Sequence, residues 1–87
     1  MESGLETACR ICGLDVGEVR FDDHGLALFV ICGCCGTESG VGDDTVVQAR
    51  RLRARWLDAG SVWFEPKGRP ADWELREQLR NVPPSWR

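Results

Sequence analysis

Two Cys-x-x-Cys pairs constrain this chain more than any other feature of its sequence. The first pair is Cys9 and Cys12, and the second, after nineteen intervening residues, is Cys32 and Cys35. Two thiolates that are two residues apart on a tight turn can both ligate one ion, and two such turns supply the four sulfurs of a structural zinc site. The spacing therefore predicts one tetrahedral site with one structural Zn²⁺, ligated by Cys9, Cys12, Cys32 and Cys35.

The chain has a fifth cysteine, Cys34, inside the second pair. Glycine follows Cys12 and Cys35 at positions 13 and 36, where a turn that directs two sulfurs at one point often needs a positive φ. The choice of Cys35 as the ligand gives both pairs the same following glycine, whereas the choice of Cys34 does not. Cys34 is therefore expected to be outside the ligand set.

Three other uses of the cysteines stay open at this stage. They are two disulfides in a secreted fold, an iron ion held by the same four sulfurs, and a redox-active dithiol. The first six residues have no basic start and no apolar run, so no secretory signal is predicted. No apolar run approaches the length of a membrane span. We expect a soluble protein in the reducing cytoplasm.

The length of 87 residues predicts a single domain, residues 1–87, whose small core needs a further stabilising element such as a metal ion. The predicted fold class is α+β. A small zinc ribbon, a β-hairpin with two Cys-x-x-Cys turns, covers about residues 7–42. Two short α-helices with a short extra strand between them cover about residues 43–83.

The hairpin is predicted from alternation and from a turn. Residues 18–21 alternate polar and apolar side chains, residues 22–25 have turn composition, and residues 26–31 form a continuous apolar run that leads into the second cysteine pair. His24, at the turn, is expected to face solvent because four cysteines already complete the site. The extra strand is predicted at residues 61–64.

The first helix is expected to begin after Thr45, which with Gln48 has the pattern of a capping box, and to end near Gly60. Its apolar stripe consists of Ala49, Leu52, Trp56 and Ala59, with Val46 at the margin. For the second helix we predict Asp72 as N-cap, a shared apolar face of Leu75, Leu79 and Val82, and an end before Pro83. Of the four tryptophans, Trp56 and Trp63 are expected in the core, and Trp73 and Trp86 are candidate exposed anchors for a partner.

Charge is segregated along the chain. Residues 1–44 hold nine acidic and two basic residues, whereas residues 45–87 hold five acidic and nine basic ones. The acidic part is a candidate surface for a basic protein partner, formed by Asp22, Asp23, Glu38, Asp43 and Asp44. In the first helix Arg50, Arg51, Arg53 and Arg55 spread around the polar arc, which weakens but does not remove a nucleic-acid hypothesis.

A set of features along the chain matches a known pattern: Cys9-x-x-Cys12-Gly13, Phe29-Val30-Ile31, Cys32 to Gly36, Glu38, Asp43-Asp44, Arg51 to Trp56, Gly60, Trp63, Trp73 and Glu77-Gln78-Leu79. With these features the chain resembles the small bacterial cysteine-rich CPCC family, which is named after a Cys-Pro-Cys-Cys motif in a zinc-ribbon-like module. Gly33 stands where that motif has proline, although the sulfur spacing is kept. The resemblance implies the zinc-ribbon-like fold and, because some proteins of this kind are encoded beside toxin genes, an immunity-like role.

These observations favour a zinc-binding protein that is not an enzyme and acts as a protein–protein interaction module. A closed site of four cysteines has no open position for a reacting water, and the sole histidine has no nucleophile beside it in sequence. The first alternative is a nucleic-acid-binding zinc ribbon, and the second is an iron or dithiol redox carrier. The sequence alone does not identify the partner or the oligomeric state.

Overall fold

A computed structural model describes residues 4–87 of the chain. It has two α-helices, α1 (Val46–Asp58) and α2 (Leu75–Leu79), and two short 3₁₀ turns at Pro66–Gly68 and Pro84–Trp86. No helix among the described residues is long and apolar enough to cross a bilayer.

The helical part of the predicted fold class is confirmed, but the ribbon hairpin is not. Within residues 4–87 there is no β-strand, and three isolated antiparallel bridges take its place: Glu6 with Phe21, Phe21 with Ala27, and Ile31 with Glu38. Phe29 has a φ of 56°, which interrupts the extended backbone of residues 26–31. In addition, the Val30 N–H donates to the Ser39 hydroxyl (2.8 Å) and not to a strand neighbour.

The prediction of an extra strand at residues 61–64 is also wrong. Ser61 has a φ of 55°, which is incompatible with a strand at its start. The end of this segment nevertheless contacts the second cysteine turn through its backbone, because the N–H groups of Phe64 and Glu65 donate to the carbonyls of Cys34 (2.9 Å) and Gly33 (2.8 Å).

Helix α1 has the predicted ends. The Thr45 hydroxyl accepts a hydrogen bond from the Gln48 N–H (3.1 Å), which satisfies one of the free donors of the first turn. At the other end Gly60 has a φ of 96°, and the N–H groups of Gly60 and Ser61 donate back to the carbonyls of Leu57 and Trp56, a Schellman motif. The predicted stripe is buried at Ala49 and Trp56 and half-buried at Val46 and Leu52, whereas Ala59 is exposed.

Helix α2 is shorter than expected and begins differently. The residue before it is Glu74, which makes no side-chain cap, so the assignment of Asp72 as N-cap is wrong. Asp72 lies in an exposed turn two residues earlier. The predicted apolar face is present, since Leu75 and Leu79 are half-buried and Val82 is buried.

The core is built around the cysteines. The buried cluster consists of Cys9, Ile11, Cys12, Cys32, Cys34, Ala49, Trp56 and Trp63. Trp73 and Trp86 pack against this cluster and are half-buried, so neither is a fully exposed anchor. Because four of the eight core residues are cysteines, the apolar core alone is small, and the state of the sulfurs matters for its stability.

Candidate metal centre

The two cysteine turns have the same backbone structure. In knuckle 1, residues 9–14, the Gly13 N–H donates to Cys9 O (3.0 Å) and the Cys9 N–H to Leu14 O (2.9 Å). In knuckle 2, residues 32–37, the equivalent bonds join Gly36 to Cys32 and Cys32 to Thr37 (both 2.9 Å). The predicted positive φ is present at both glycines, 84° at Gly13 and 78° at Gly36. One local geometry is therefore used twice, at a spacing of 23 residues.

The two knuckles bring the four predicted sulfurs together. The Sγ atoms of Cys9, Cys12, Cys32 and Cys35 all lie within 4.8 Å of one another. Cys9 and Cys35 are 3.7 Å apart, and Cys12 and Cys32 are 3.6 Å apart. A tetrahedral zinc ion with Zn–S bonds of about 2.3 Å requires sulfurs about 3.8 Å apart, so the arrangement fits a metal ion. All five cysteines are free thiols, so the structure contains neither of the two disulfides considered from the sequence.

Hydrogen bonds among the crowded sulfurs separate their pKa values. The thiol of Cys12 and then those of Cys35 and Cys9 hold the pKa of Cys32 far below its ordinary value. Interactions with Cys32 and then with Cys34, Cys35 and Cys9 hold the pKa of Cys12 far above its ordinary value. These four crowded sulfurs therefore cannot all ionise without a compensating charge, which a divalent cation would supply.

Cys34 occupies a different place from the four sulfurs. When the knuckles are aligned, it corresponds to Ile11, and both side chains are completely buried in the core. Its sulfur accepts a hydrogen bond from Gln78 Nε2 at 3.2 Å. Cys34 is not in the group of four residues whose ligand atoms converge. The equivalence of the two knuckles explains why: position 3 of each turn points into the core, and positions 1 and 4 point at the site.

Arg53 of α1 holds knuckle 1 in position. Its Nε donates to Ile11 O (2.7 Å) and its Nη2 to Arg10 O (2.9 Å) and to Trp86 O (2.6 Å). In knuckle 2 the carbonyls at the same two positions accept bonds from the backbone N–H groups of residues 64 and 65. A planar guanidinium thus replaces two backbone donors. In the sequence Arg53 is one of four arginines on the polar arc of α1, and nothing there indicates this role.

We expect Arg53→Ala to lower the free energy of unfolding by about 2–3 kcal/mol, because it leaves partly buried carbonyls without a donor. Arg53→Lys should recover only part of this loss, since an ammonium group lacks the forked geometry. Arg51→Ala is the matched control, because the side chain of Arg51 is exposed and makes no hydrogen bond with the described chain. Urea denaturation of the metal-loaded proteins measures the differences in the free energy of unfolding. Equal stability of the Arg53→Ala and Arg51→Ala variants would contradict this role of Arg53.

Gln78 of α2 connects the second helix to both knuckles. Its amide Nε2 donates to Cys12 O and to Cys34 Sγ, each at 3.2 Å, and its Oε1 accepts a bond from the Trp73 indole at 2.7 Å. Gln78 is 8% exposed. The sequence contained one signal of this role, a glutamine between Leu75 and Leu79 on the apolar face of the helix.

Arg10 lies between two aromatic rings beside the site. Its Cζ is 3.5 Å from the ring centroid of Phe21 and 3.8 Å from that of Trp86. The same guanidinium pairs with Glu6 through a hydrogen bond of 2.5 Å. Cation–π contacts of this kind stabilise a partly desolvated arginine. They also join the acidic part of the chain to its C-terminal end.

The structure separates the five predicted partner-binding carboxylates into different roles. The Asp22 carboxylate accepts bonds from the N–H groups of His24 (2.8 Å) and Leu26 (2.9 Å), and the bond from Leu26 is the main cause of its lowered pKa. Asp23 and Asp44 are exposed, and Glu38 is half-buried. Asp43 is buried and accepts a bond from the Gly40 N–H (2.8 Å), and burial raises its pKa. We therefore leave Asp43 out of the surface proposed below.

The predicted position of His24 is confirmed: its side chain is 79% exposed, with Nε2 3.7 Å from an Asp23 oxygen. Among residues 4–87 the ion pairs are this contact and the pair of Arg10 with Glu6. Asp22, Glu38 and Asp44 thus have no cationic partner within the described chain. Most of the segregated charge is left uncompensated.

The arginines of α1 do not act as one group. Arg53 is used by knuckle 1, and Arg50 donates to Arg87 O (2.5 Å). Arg51 and Arg55 are exposed. The surface that a nucleic acid would contact is therefore smaller than the four arginines of the sequence indicated.

Comparison with known proteins identifies no relative. No protein-family model, no curated protein and no solved structure matches the chain. The similarity to the CPCC family accordingly stays a resemblance, and the functional argument depends on the geometry of the site.

Proposed function

We propose that this protein binds one structural Zn²⁺ through Cys9, Cys12, Cys32 and Cys35 and acts, without catalysis, as an interaction module for a basic protein. The observation that supports the metal site is the convergence of these four sulfurs on two identical knuckles. The metal would join the two knuckles and so hold together the surfaces on either side.

A structural role fits this ligand set better than a catalytic one. Catalytic zinc keeps one position for water or substrate, whereas four thiolates complete the tetrahedron. The residues that could assist a reaction lie elsewhere or are already bonded: His24 is on an exposed turn, and Cys34 is buried against Gln78. Iron fits four thiolates as well as zinc does, so the identity of the metal is part of the proposal.

The proposed partner is basic because the acidic part of the chain is not neutralised internally. Asp22, Glu38 and Asp44 have no cation within 4.0 Å in the described chain, and Asp23 has only a histidine at 3.7 Å. Four thiolates on one divalent ion add two further negative charges to this part. Such a surface accelerates encounter with a positively charged protein and disfavours phosphate.

The interaction is tested with immobilised, zinc-loaded protein and a lysate of the cells that encode it. We expect retention of a protein of high isoelectric point, and loss of that retention when Asp23, Glu38 and Asp44 are all changed to lysine. A matched control changes Asp58, Glu74 and Glu77, which are exposed carboxylates of the C-terminal half, to lysine. Retention that is unaffected by the first triple variant, or recovery of nucleic acid in place of a protein, would contradict the proposal.

A further inference from the structure

Residues 26–31, here called the 26–31 segment, form a continuous apolar run that stays at the surface. Leu26 is 63% exposed, Leu28 46%, Phe29 60% and Ile31 52%. Single exposed apolar residues are common in small proteins, but a contiguous group of this kind marks an interaction site. The zinc site does not account for this segment, since none of its residues contributes a ligand.

Phe29 has an unfavourable backbone conformation, and its ring lies on this surface. A φ of 56° is rare for a bulky side chain and raises the free energy of the folded state. The ring lies against Gly40, where a Cβ atom would be 3.1 Å from Cε1 of Phe29 and would overlap the side chain of Ala27. Backbone strain of this kind persists at functional sites more often than elsewhere.

The backbone donors of the 26–31 segment alternate between bonded and free. The N–H groups of Leu26, Leu28 and Val30 donate to Asp22 Oδ1, Arg20 O and Ser39 Oγ. Those of Ala27, Phe29 and Ile31 make no hydrogen bond with residues 4–87. These three N–H groups are free to donate to the backbone carbonyls of a partner segment.

Acidic groups lie at both ends of the 26–31 segment. Asp22 and Asp23 precede it in the turn, and Glu38 forms a bridge pair with Ile31. A second copy of the chain that used the same face would place these carboxylates against one another, which opposes self-pairing. A partner with arginine or lysine beside its apolar residues meets no such repulsion.

We propose that the 26–31 segment docks an extended, basic segment of another protein, in which apolar residues alternate with arginine or lysine. This inference rests on the proposed interaction function and assigns it a surface. The apolar side chains of the partner would contact Leu28, Phe29 and Ile31, and its cations would lie beside Asp23 and Glu38. Apolar contact at the centre with charged groups at the rim is the usual organisation of an interface.

The test uses zinc-loaded, ¹⁵N-labelled protein and three synthetic ten-residue peptides, which alternate Arg with Leu, Arg with Ser, and Glu with Leu. We expect the Arg/Leu peptide to shift the amide signals of Ala27, Phe29 and Ile31. The Arg/Ser peptide should bind at least tenfold more weakly, and the Glu/Leu peptide should not bind.

Phe29→Asn is the decisive variant, because asparagine tolerates the left-handed conformation, so the fold is kept while the ring is removed. Its Kd for the Arg/Leu peptide should rise at least tenfold with no fall in melting temperature. Val16→Asn is the control, since Val16 is exposed (68%) outside the segment. The Kd of this variant for the Arg/Leu peptide should not change.

Amide shifts on another surface, or equal binding by Phe29→Asn, would overturn the docking site and leave the interaction function in place. Failure of the Arg/Leu peptide to bind would also overturn the docking site, whereas the interaction function is judged separately by the retention experiment above. Self-association that Phe29→Asn abolishes would identify a second copy as the occupant and overturn this proposal.

Discussion

Chelation of the metal from the reduced protein is expected to unfold it cooperatively, with simultaneous loss of the far-ultraviolet signal and a red shift of tryptophan emission. The reason lies in the core, where Cys9, Cys12 and Cys32 are buried among few apolar residues. Structural zinc contributes about 10–16 kcal/mol in zinc-finger peptides, whereas a whole domain is stable by only about 5–15 kcal/mol. Removal of the ion leaves four crowded sulfurs that cannot all be ionised, and it also removes the link between the two knuckles.

Two cysteine variants test whether this effect belongs to the four proposed ligands. Cys35→Ser should reproduce the effect of the chelator, because it removes one ligand. Cys34→Ala should stay folded and retain metal, because Cys34 is not a ligand and Gln78 keeps its bond to Cys12 O. The free energy of unfolding should fall by about 1 kcal/mol, since Cys34 fills a core position. Quantitative loss of the metal with unchanged circular dichroism and emission would show that the fold does not depend on the ion.

Gly13→Ala is expected to destabilise the metal-loaded protein by about 2–5 kcal/mol. A left-handed conformation costs a side chain about 1–2 kcal/mol, and overpacking costs about 1–3 kcal/mol more. At Gly13 both apply: its φ is 84°, and an added Cβ would overlap the Gln78 carbonyl oxygen and lie 3.0 Å from the Val82 nitrogen. Both of those atoms are backbone atoms, so neither can move without a shift of the backbone of residues 78–82. Urea denaturation measures the loss.

Gly17→Ala and Gly25→Ala are the matched controls. Both glycines have a similar φ, 81° and 77°, but nothing lies within 4 Å of an added Cβ. The free energy of unfolding of these two variants should therefore fall only by the cost of the left-handed conformation, about 1–2 kcal/mol. If Gly13→Ala were no more destabilising than these two variants, close packing of α2 on knuckle 1 would be disproved.

The cysteine turns and α1 could be predicted from the sequence because each is specified by neighbouring residues. Ligand spacing and the following glycine define a knuckle within six residues, and Thr45 and Gly60 define the ends of α1 in the same local way. The hairpin could not be predicted, because its apolar alternation is typical of strands while the actual backbone depends on Phe29 and on the Ser39 side chain. Residues 26–31 look like a buried strand in sequence and are an exposed surface in the structure.

The structural roles of Arg53 and Asp43 could not be predicted, for a different reason. The sequence of α1 gives no sign that Arg53 differs from Arg51, because the carbonyls that it binds are 33 to 43 residues away. Likewise, Asp43 has the composition of a helix start, yet its buried carboxylate accepts a bond from the Gly40 N–H, three residues earlier. Contacts between distant segments decided the case of Arg53, whereas the case of Asp43 depends on the local conformation of residues 40–43, which their composition does not indicate.

Native mass spectrometry of the freshly purified, reduced protein tests the central claim most directly, since it measures the identity and number of metal ions on each chain. We predict one zinc per chain in the wild type and in Cys34→Ala, and none in Cys35→Ser. A wild-type protein that contains iron or no metal, or a Cys34→Ala variant that loses its zinc while Cys35→Ser retains it, would contradict the account.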